Sequence, residues 1–485
     1  MTDRKEFINA CKNGNLEIIE RLTRCGLNVF IFEKRKMPLT VASKWGHLPV
    51  VDFLIKKGAD TNFNNGEALT IACINGHIQI ARLLIENGIN VKHCENALTY
   101  SCSGGHFEII KLLLNNGAEI NKGLPKPICS ACDHGNLDIV KFLINQGADL
   151  NKSKNECLII ACKAGHFEIV KLLLEYGLNL HKINKALGAA CKYGHVNLIN
   201  LLIDNGAKLN DDDYYKTPLY KACSAGRIDV IKLLMNRGLD IHANKNEGFN
   251  TACRNGNVEV LKFLLEYDID LNEYNYFHNP CKFGHTDVVK LLFEIGADFK
   301  KDKYSLCNIC TRGHIDILKI MIEKKVIGSK AFNLACTACI YGHIGILKLF
   351  IDMGINIHYR NGELLADAVK SHNFELVQLL LNAGLDKYIN NKDVIEGVCD
   401  VGDLEMIKFL IIKGLDVKKY TDERIMYFLC KEFRPETYDR FQPYDGSKKE
   451  RFQIAQLLIH EGFCFCSNDL KYAYDYKYFD IVLLL

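Results

Sequence analysis

Residues 161–180 read ACKAGHFEIVKLLLEYGLNL, and close variants recur down the chain: ACINGHIQIARLLIENGIN at 72–90, SCSGGHFEIIKLLLNNGAEI at 101–120 and ACSAGRIDVIKLLMNRGLDI at 222–241. Self-similarity at a fixed period decides the architecture before any local propensity does. With the first glycine of each copy as marker, the register runs through Gly14, Gly46, Gly76, Gly105, Gly135, Gly165, Gly194, Gly226, Gly256, Gly284, Gly313, Gly342 and Gly402. It also passes through His372, Glu450 and Lys477, where glycine is replaced. The spacing is close to 30 residues, apart from one long interval before Glu450, and implies about sixteen units.

Each unit reads as two short helices. In HFEIVKLLLEYG, Phe167, Ile169, Val170, Leu172, Leu173 and Leu174 make a broad apolar side, with Glu168, Lys171 and Glu175 opposite. Gly177 then stops the helix, as Gly26, Gly58, Gly88 and Gly117 do elsewhere, because glycine accepts the left-handed conformation of a C-cap. Asp268 and Lys325 hold that place once each, and Lys325 is expected to be strained or differently built. The first helix ends in Ala-Cys-x-x-Gly, and a Gly-His or Gly-Asn turn reverses the chain. A pair this small cannot bury enough surface alone. Stacked pairs can, each leaning on its neighbours. The predicted fold is an all-α solenoid.

Composition narrows the function. An apolar share of 48% and a charged share of 25% belong to folded chains rather than disordered ones. With 61 basic and 58 acidic residues the net charge is +3, too small for a field that gathers nucleic acid. No apolar run approaches the length of a membrane span. MTDRKEFINACKNG has no apolar core of a secretory leader. With 21 cysteines, that points to a reducing, intracellular compartment.

These residues resemble the ankyrin repeat. Thr217-Pro218-Leu219-Tyr220-Lys221-Ala222 and Met37-Pro38-Leu39-Thr40-Val41-Ala42 match its T-P-L-H-x-A opening, and Gly-Ala-Asp recurs at Gly58, Gly147 and Gly296. The resemblance runs along essentially the whole chain. Ordinary units of that family are about 33 residues long, and most here are shorter, which implies shortened β-hairpin fingers with the helices intact. Shortened unit and diction look like the large ankyrin families of amoeba-infecting giant DNA viruses. The resemblance implies a host-cell setting, cytoplasm with nucleus as the alternative. It also implies a similarity of Asn121, Asn151 and Asn272 to targets of asparaginyl hydroxylation, although the tight turn alone favours asparagine.

The chain reads as one solenoid over residues 1–485. Residues 1–30 form an N-terminal cap unit, with polar Glu20, Arg21 and Thr23 and a capping box at Asp3 and Glu6, leaving no room for an upstream domain. Residues 31–420 are regular units. Residues 421–485 are degenerate units: helix-like ERIMYFLCKEF precedes an inserted loop at 434–449, and the closing FDIVLLL ends within a second helix.

Twelve cysteines share one place, three before the first glycine: Cys11, Cys73, Cys102, Cys132, Cys162, Cys191, Cys223, Cys253, Cys281, Cys310, Cys339 and Cys399, with Ser43 once. A cysteine recurring at a small site reads as a small core hydrophobe. The CxxC pairs Cys129/Cys132, Cys307/Cys310 and Cys336/Cys339 resemble zinc spacing. The last two sit on equivalent helices about 8–10 Å apart, however, so four sulfurs cannot converge. His47, His77, His106, His166, His195, His285, His314 and His343 repeat too often to be catalytic and read as turn residues bonding neighbouring backbone. No phosphate loop, HExxH or GxSxG is present. Neither cofactor nor metal nor enzyme activity is expected.

A bare solenoid has only surfaces to use. The two residues before the first glycine are expected to face a groove. The nearer is Trp45, Tyr193, Phe283 or Tyr341; the farther is basic at Lys12, Lys44, Lys163, Lys192, Arg254, Lys282 and Lys370. Aromatics are favoured binding anchors. Irregular fingers add Asp211, Asp212, Asp213, Tyr214 and Tyr215 before the TPL unit, and Tyr274, Tyr276 and Phe277 before Pro280, whose helix is expected to start late. The expected function is a monomeric, non-enzymatic scaffold for host or viral proteins. A ubiquitin-ligase adaptor, and a decaying repeat copy without a partner, are the alternatives.

Overall fold

The residues after the Gly-His and Gly-Asn turns form helices of nine residues, apart from the seven of Val258–Leu264. Leu48–Lys56, Ile78–Glu86, Phe107–Asn115, Leu137–Asn145, Phe167–Glu175 and Val196–Asp204 all run nine residues. The computed structural model describes all residues except 1, 28–36, 124, 177–179, 211–216, 272–273, 300–303, 421–424, 426–428, 430–447 and 464–485. Burial in these helices is narrower than the apolar pattern suggests. In Phe167–Glu175 it falls on Ile169, Val170 and Leu173, and Phe167 stays partly exposed. The same third, fourth and seventh places hold Val50, Val51 and Leu54, or Ile109, Ile110 and Leu113, elsewhere.

The helix stop works as expected. Gly58 has φ +90°, its N–H bonds the carbonyl of Ile55, and the Ala59 N–H bonds that of Leu54. Lys325 takes φ +55° and keeps the same pair of bonds, to Ile322 and Met321, so the geometry is retained at the cost of a left-handed lysine. Asp268 is left-handed likewise.

The chain divides into two units, Met1–Gly248 and Phe249–Leu485. In the first, Thr2–Asn13 packs on Pro38–Trp45, that helix on Phe63–Ile74, and so on through Glu95–Gly104, Pro127–Asp133, Leu150–Ala164, Leu180–Tyr193 and Pro218–Ser224. In the second, His278–Phe283, Ser305–Arg312, Ala331–Ile340, Glu363–Ala368 and Lys392–Val401 form the corresponding row, and Leu404–Ile412 packs on Lys448–His460. Helix His278–Phe283 has only six residues, the late start that Pro280 predicts.

The fingers differ from the expected hairpins: among the described residues there is no strand. Asn64, Asn65 and Gly66 (φ +51°, +56°, +72°), and again Arg360, Asn361 and Gly362, make a left-handed turn instead. Val91–His93 and Val417–Lys419 make single 3-10 turns. Between Lys56 and Phe63, and between Glu86 and Glu95, too few residues remain to pair two strands. Asparagines tie the turns together: Asn62 Oδ1 accepts from the Asn90 N–H at 2.8 Å, and Asn121 Oδ1 from the Asp149 N–H at 2.7 Å. That supports the turn role of Asn121; the Asn151 side chain and Asn272 lie outside the described residues.

At the first unit, Asp3 lies inside the first turn of Thr2–Asn13, and Glu6 reaches Arg21 at 2.7 Å rather than closing a capping box. In the region read as 421–433, Ile425 and Leu429 are helical and buried. The insert read at 434–449 lies outside the described residues up to 447, and its last two positions open helix Lys448–His460. The closing FDIVLLL also lies outside them.

Candidate partner-binding groove

The groove is held in place by a ladder of backbone bonds, which begins with histidine. Nε2 of His47, His77, His106, His166 and His195 lies 2.8–3.2 Å from the carbonyls of Lys12, Lys44, Ile74, Asp133 and Lys163. His285, His314 and His343 repeat this on Arg254, Lys282 and Thr311. A carbonyl only accepts, so Nε2 carries the proton. Each acceptor stands two residues before a register glycine. That glycine is required twice over. Gly135 has φ +76°, and a Cβ there would lie 2.6 Å from the His166 ring of the next repeat. The histidines are thus struts between repeats, as the sequence indicates.

The cysteine column lies behind these turns, and all twelve members are buried. Burial pushes the thiols of Cys11, Cys73, Cys102 and Cys162 up to about 12. They are protonated packing atoms, neither nucleophiles nor ligands. Ser43, the exception, is fully buried and its hydroxyl has no hydrogen-bond partner. Cys307, Cys310, Cys336 and Cys339 do not gather around one point among the described residues. Cys336 instead meets Glu363 and Asp367, whose ligand atoms lie within 4.8 Å of one another and of its sulfur. Glu363 is bonded by Arg360 at 3.2 Å and Asp367 by Lys370 at 3.0 Å, so each carboxylate already has a cation. Burial, against the pull of Lys370, raises the Asp367 carboxyl.

Three of the four aromatic residues next to the register glycines are exposed. Trp45 is 49% exposed, and Tyr193 and Phe283 are each 43% exposed. A cation lies over each ring: Lys12 at 5.1 Å from Trp45, Lys192 at 5.7 Å from Tyr193, and Lys282 and Arg254 at 5.8 and 6.0 Å from Phe283. His285 also tilts against Phe283 at 6.3 Å. Tyr341, at the end of Ala331–Ile340, is less exposed than these three.

The finger reading needs correction. Tyr274 is exposed, but Tyr276 and Phe277 are each only 1% exposed and cannot be contact residues. Tyr276 meets Phe249 edge-on at 4.9 Å, and Phe277 meets Phe293 and Phe299 at 4.7 and 5.2 Å. They fill the space that the short helix His278–Phe283 leaves open. Asp211, Asp212, Asp213, Tyr214 and Tyr215 lie outside the described residues. A further groove went unforeseen. Glu363, Asp367, Asp393, Glu396 and Asp400, with Lys370, line a cleft of about 290 Å³ between two first helices of the second unit. Glu363 and Asp393, each nine places before a register position, were the available signal.

No helix among the described residues is long and apolar enough to cross a membrane. The profile of a family described as Ankyrin repeats (3 copies) matches residues 6–65, 60–124, 123–184, 158–247 and 243–303. Over 88 residues the chain is 35% identical to the Ankyrin repeat and KH domain-containing protein mask-1 of Caenorhabditis elegans, covering 17% of this chain and 3% of that one. Two ankyrin repeat proteins of Acanthamoeba polyphaga mimivirus are 34% identical over 87 residues and 32% identical over 84. Those matches cover 18% and 17% of this chain, and 29% and 14% of the relatives. The chain therefore spans under a third of the length of each of these relatives. In a crystal structure, the human ASB11 ankyrin repeat domain is 27% identical with a TM-score of 0.37, covering 42% of this chain and 98% of that one.

Proposed function

We propose, from the premise that this chain belongs to the ankyrin repeat family, that it is a non-enzymatic scaffold gripping a protein partner along its first helices. Ankyrin repeats generally mediate protein–protein interaction. One observation carries the finer reading: at a single register position Trp45, Tyr193 and Phe283 stand half exposed, each beside a basic side chain. A flat aromatic with a cation at its face offers apolar area and charge together, which suits a partner segment with both acidic and apolar residues. The kinship with mimivirus proteins supports the viral reading, and the buried, reduced cysteines support a reducing compartment in the host.

The test replaces Trp45, Tyr193 and Phe283 together by alanine and captures partners from amoebal lysate, with Tyr341→Ala as the control. The triple variant is expected to lose its main partner at unchanged helicity, while the control keeps it. Equal capture by both would refute the groove. The adaptor reading predicts a ubiquitin-ligase subunit among the captured proteins.

A further inference from the structure

At the seam between Pro127–Asp133 and Leu150–Ala164, the sixth residue before one register glycine meets the eighth before the next. Thr99 stands at the former place and its hydroxyl bonds the carbonyl of Pro125 at 3.1 Å, just ahead of the facing helix. The eighth place is alanine in three other repeats, at Ala68, Ala97 and Ala186. At one seam both places are cysteine: Cys129 on Pro127–Asp133 and Cys157 on Leu150–Ala164. Cys307 and Cys336 share the place of Cys129, but residues 334 and 364 opposite them are leucines. The pairing of Cys129 with Cys157 is therefore set by the sequence at this seam.

The two sulfurs lie 2.8 Å apart and both are sealed from solvent. A disulfide needs about 2.05 Å, so closing the bond asks for a shift of under 1 Å shared by two helices. Cys132 also bonds Cys157 and sits a turn away on the same helix as Cys129.

We propose that Cys129 and Cys157 are an oxidative modification site, at which a small hydroperoxide joins two adjacent repeats by a disulfide. One thiol attacks the peroxide and becomes a sulfenic acid, releasing one water when the oxidant is hydrogen peroxide. The second sulfur displaces hydroxide from the first, which leaves with the second thiol's proton as another water. In sum two thiols are oxidised, one peroxide is reduced, and two waters form. The bond with Cys157 and burial raise the Cys129 thiol, while Cys157, pulled down by its bond with Cys129, is raised on balance by Cys132 and burial; both stay protonated, so the reaction is slow and waits on local opening. Once made, the bond closes a loop of 28 residues and restrains the opening of both repeats.

The experiment takes the reduced full-length chain, exposes it to dilute hydrogen peroxide, blocks the remaining thiols under denaturing conditions and maps peptides without reduction. The expected result is a Cys129–Cys157 cross-link ahead of any other intramolecular pair, with the melting temperature of the oxidised chain raised by a few degrees. Cys157→Ala, which places the residue of the next repeat, Ala186, at that position, is expected to keep its helicity and lose both signals. The inference is overturned if both cysteines are recovered alkylated, or if Cys157 is found joined to Cys132. It is overturned equally if the temperature shift survives Cys157→Ala.

Discussion

Two kinds of seam hold the repeats together, and the contrast between them shows what each joint needs. At the histidine seams the ring bonds the preceding repeat but does not cap its own helix: His166 and His195 show no side-chain cap bond. At the irregular seams the donor changes with the reach required. Arg227 stretches to the Tyr193 carbonyl, one residue nearer the glycine than usual. Asn373 does both tasks, donating to the Gly342 carbonyl at 3.1 Å and accepting from the Leu376 N–H at 3.0 Å. Arg451, beyond the insert, serves the carbonyls of Cys399, Asp400 and Val401 at 2.8–3.4 Å. At Asp403 the direction reverses. An aspartate cannot donate, so the ring comes from His372, which occupies a glycine place at φ +53°, and the carboxylate receives it while capping Met406. What is kept at each of these seams is a polar bond across the turn; its chemistry and polarity are free.

The sharpest way to break this contrast is to deny a histidine seam its space. Gly165→Ala combines a left-handed alanine with a Cβ 2.7 Å from the His195 ring. It is expected to cost roughly 3 kcal/mol, from the conformational penalty and overpacking together. Hydrogen exchange of the two flanking repeats measures it, since stability in such arrays is local. Adding His195→Ala should recover about 1 kcal/mol, the steric share, in a double-mutant cycle. Next, Asp403→Ala removes a buried acceptor and a helix cap and is expected to cost about 2 kcal/mol. The pair His372→Gly with Asp403→His should restore a regular seam at near wild-type urea midpoint. Failure of that pair would show that the reversed seam depends on more than the two side chains.

Smaller effects sharpen the account of the column behind the turns. Ser43→Cys fits the other twelve places and removes an unpaired buried hydroxyl, so it is expected to stabilise by about 1 kcal/mol in urea unfolding. The buried thiols also fix an alkaline limit. Their folded pKa values lie above the unfolded one, so the folded state holds protons that the unfolded state releases. Stability is full below about pH 9 and falls as pH rises toward 12. His314 gives a weaker acid limb. Burial, with Arg312, His285 and His343 nearby, lowers its pKa, so its share is present above about pH 6.5 and lost as pH falls below that. Circular-dichroism melts from pH 5 to 11 should show both limbs, the alkaline one larger.

The period, the helix pair, the glycine stops and the histidine struts were all legible in the sequence, because each depends on residues at fixed offsets within one or two repeats. The positions of Trp45, Tyr193 and Phe283 followed from the same offsets. Tyr276 and Phe277 misled because polar neighbours and an irregular length mimic an exposed loop. Their burial follows from the helix shortened at Pro280, a three-dimensional deficit that no offset records. The hairpin expectation failed for a related reason: removing residues changes the type of turn as well as its size. The sulfur pair at Cys129 and Cys157 joins unequal places in successive repeats, which a column-by-column reading does not compare.

The histidine strut has a consequence for how such a chain can change in length. Its two halves are written in different copies: the ring in one, the glycine and open carbonyl in the one before. Any copy carrying both halves can follow any other, so duplication or loss of whole units heals itself at the new junction. Copies beginning with Arg227, Asp403 or Arg451 are matched to one predecessor, and recombination there would leave a mismatched joint. Growth of the array by copying is therefore expected between the histidine units, with the private junctions as fixed landmarks.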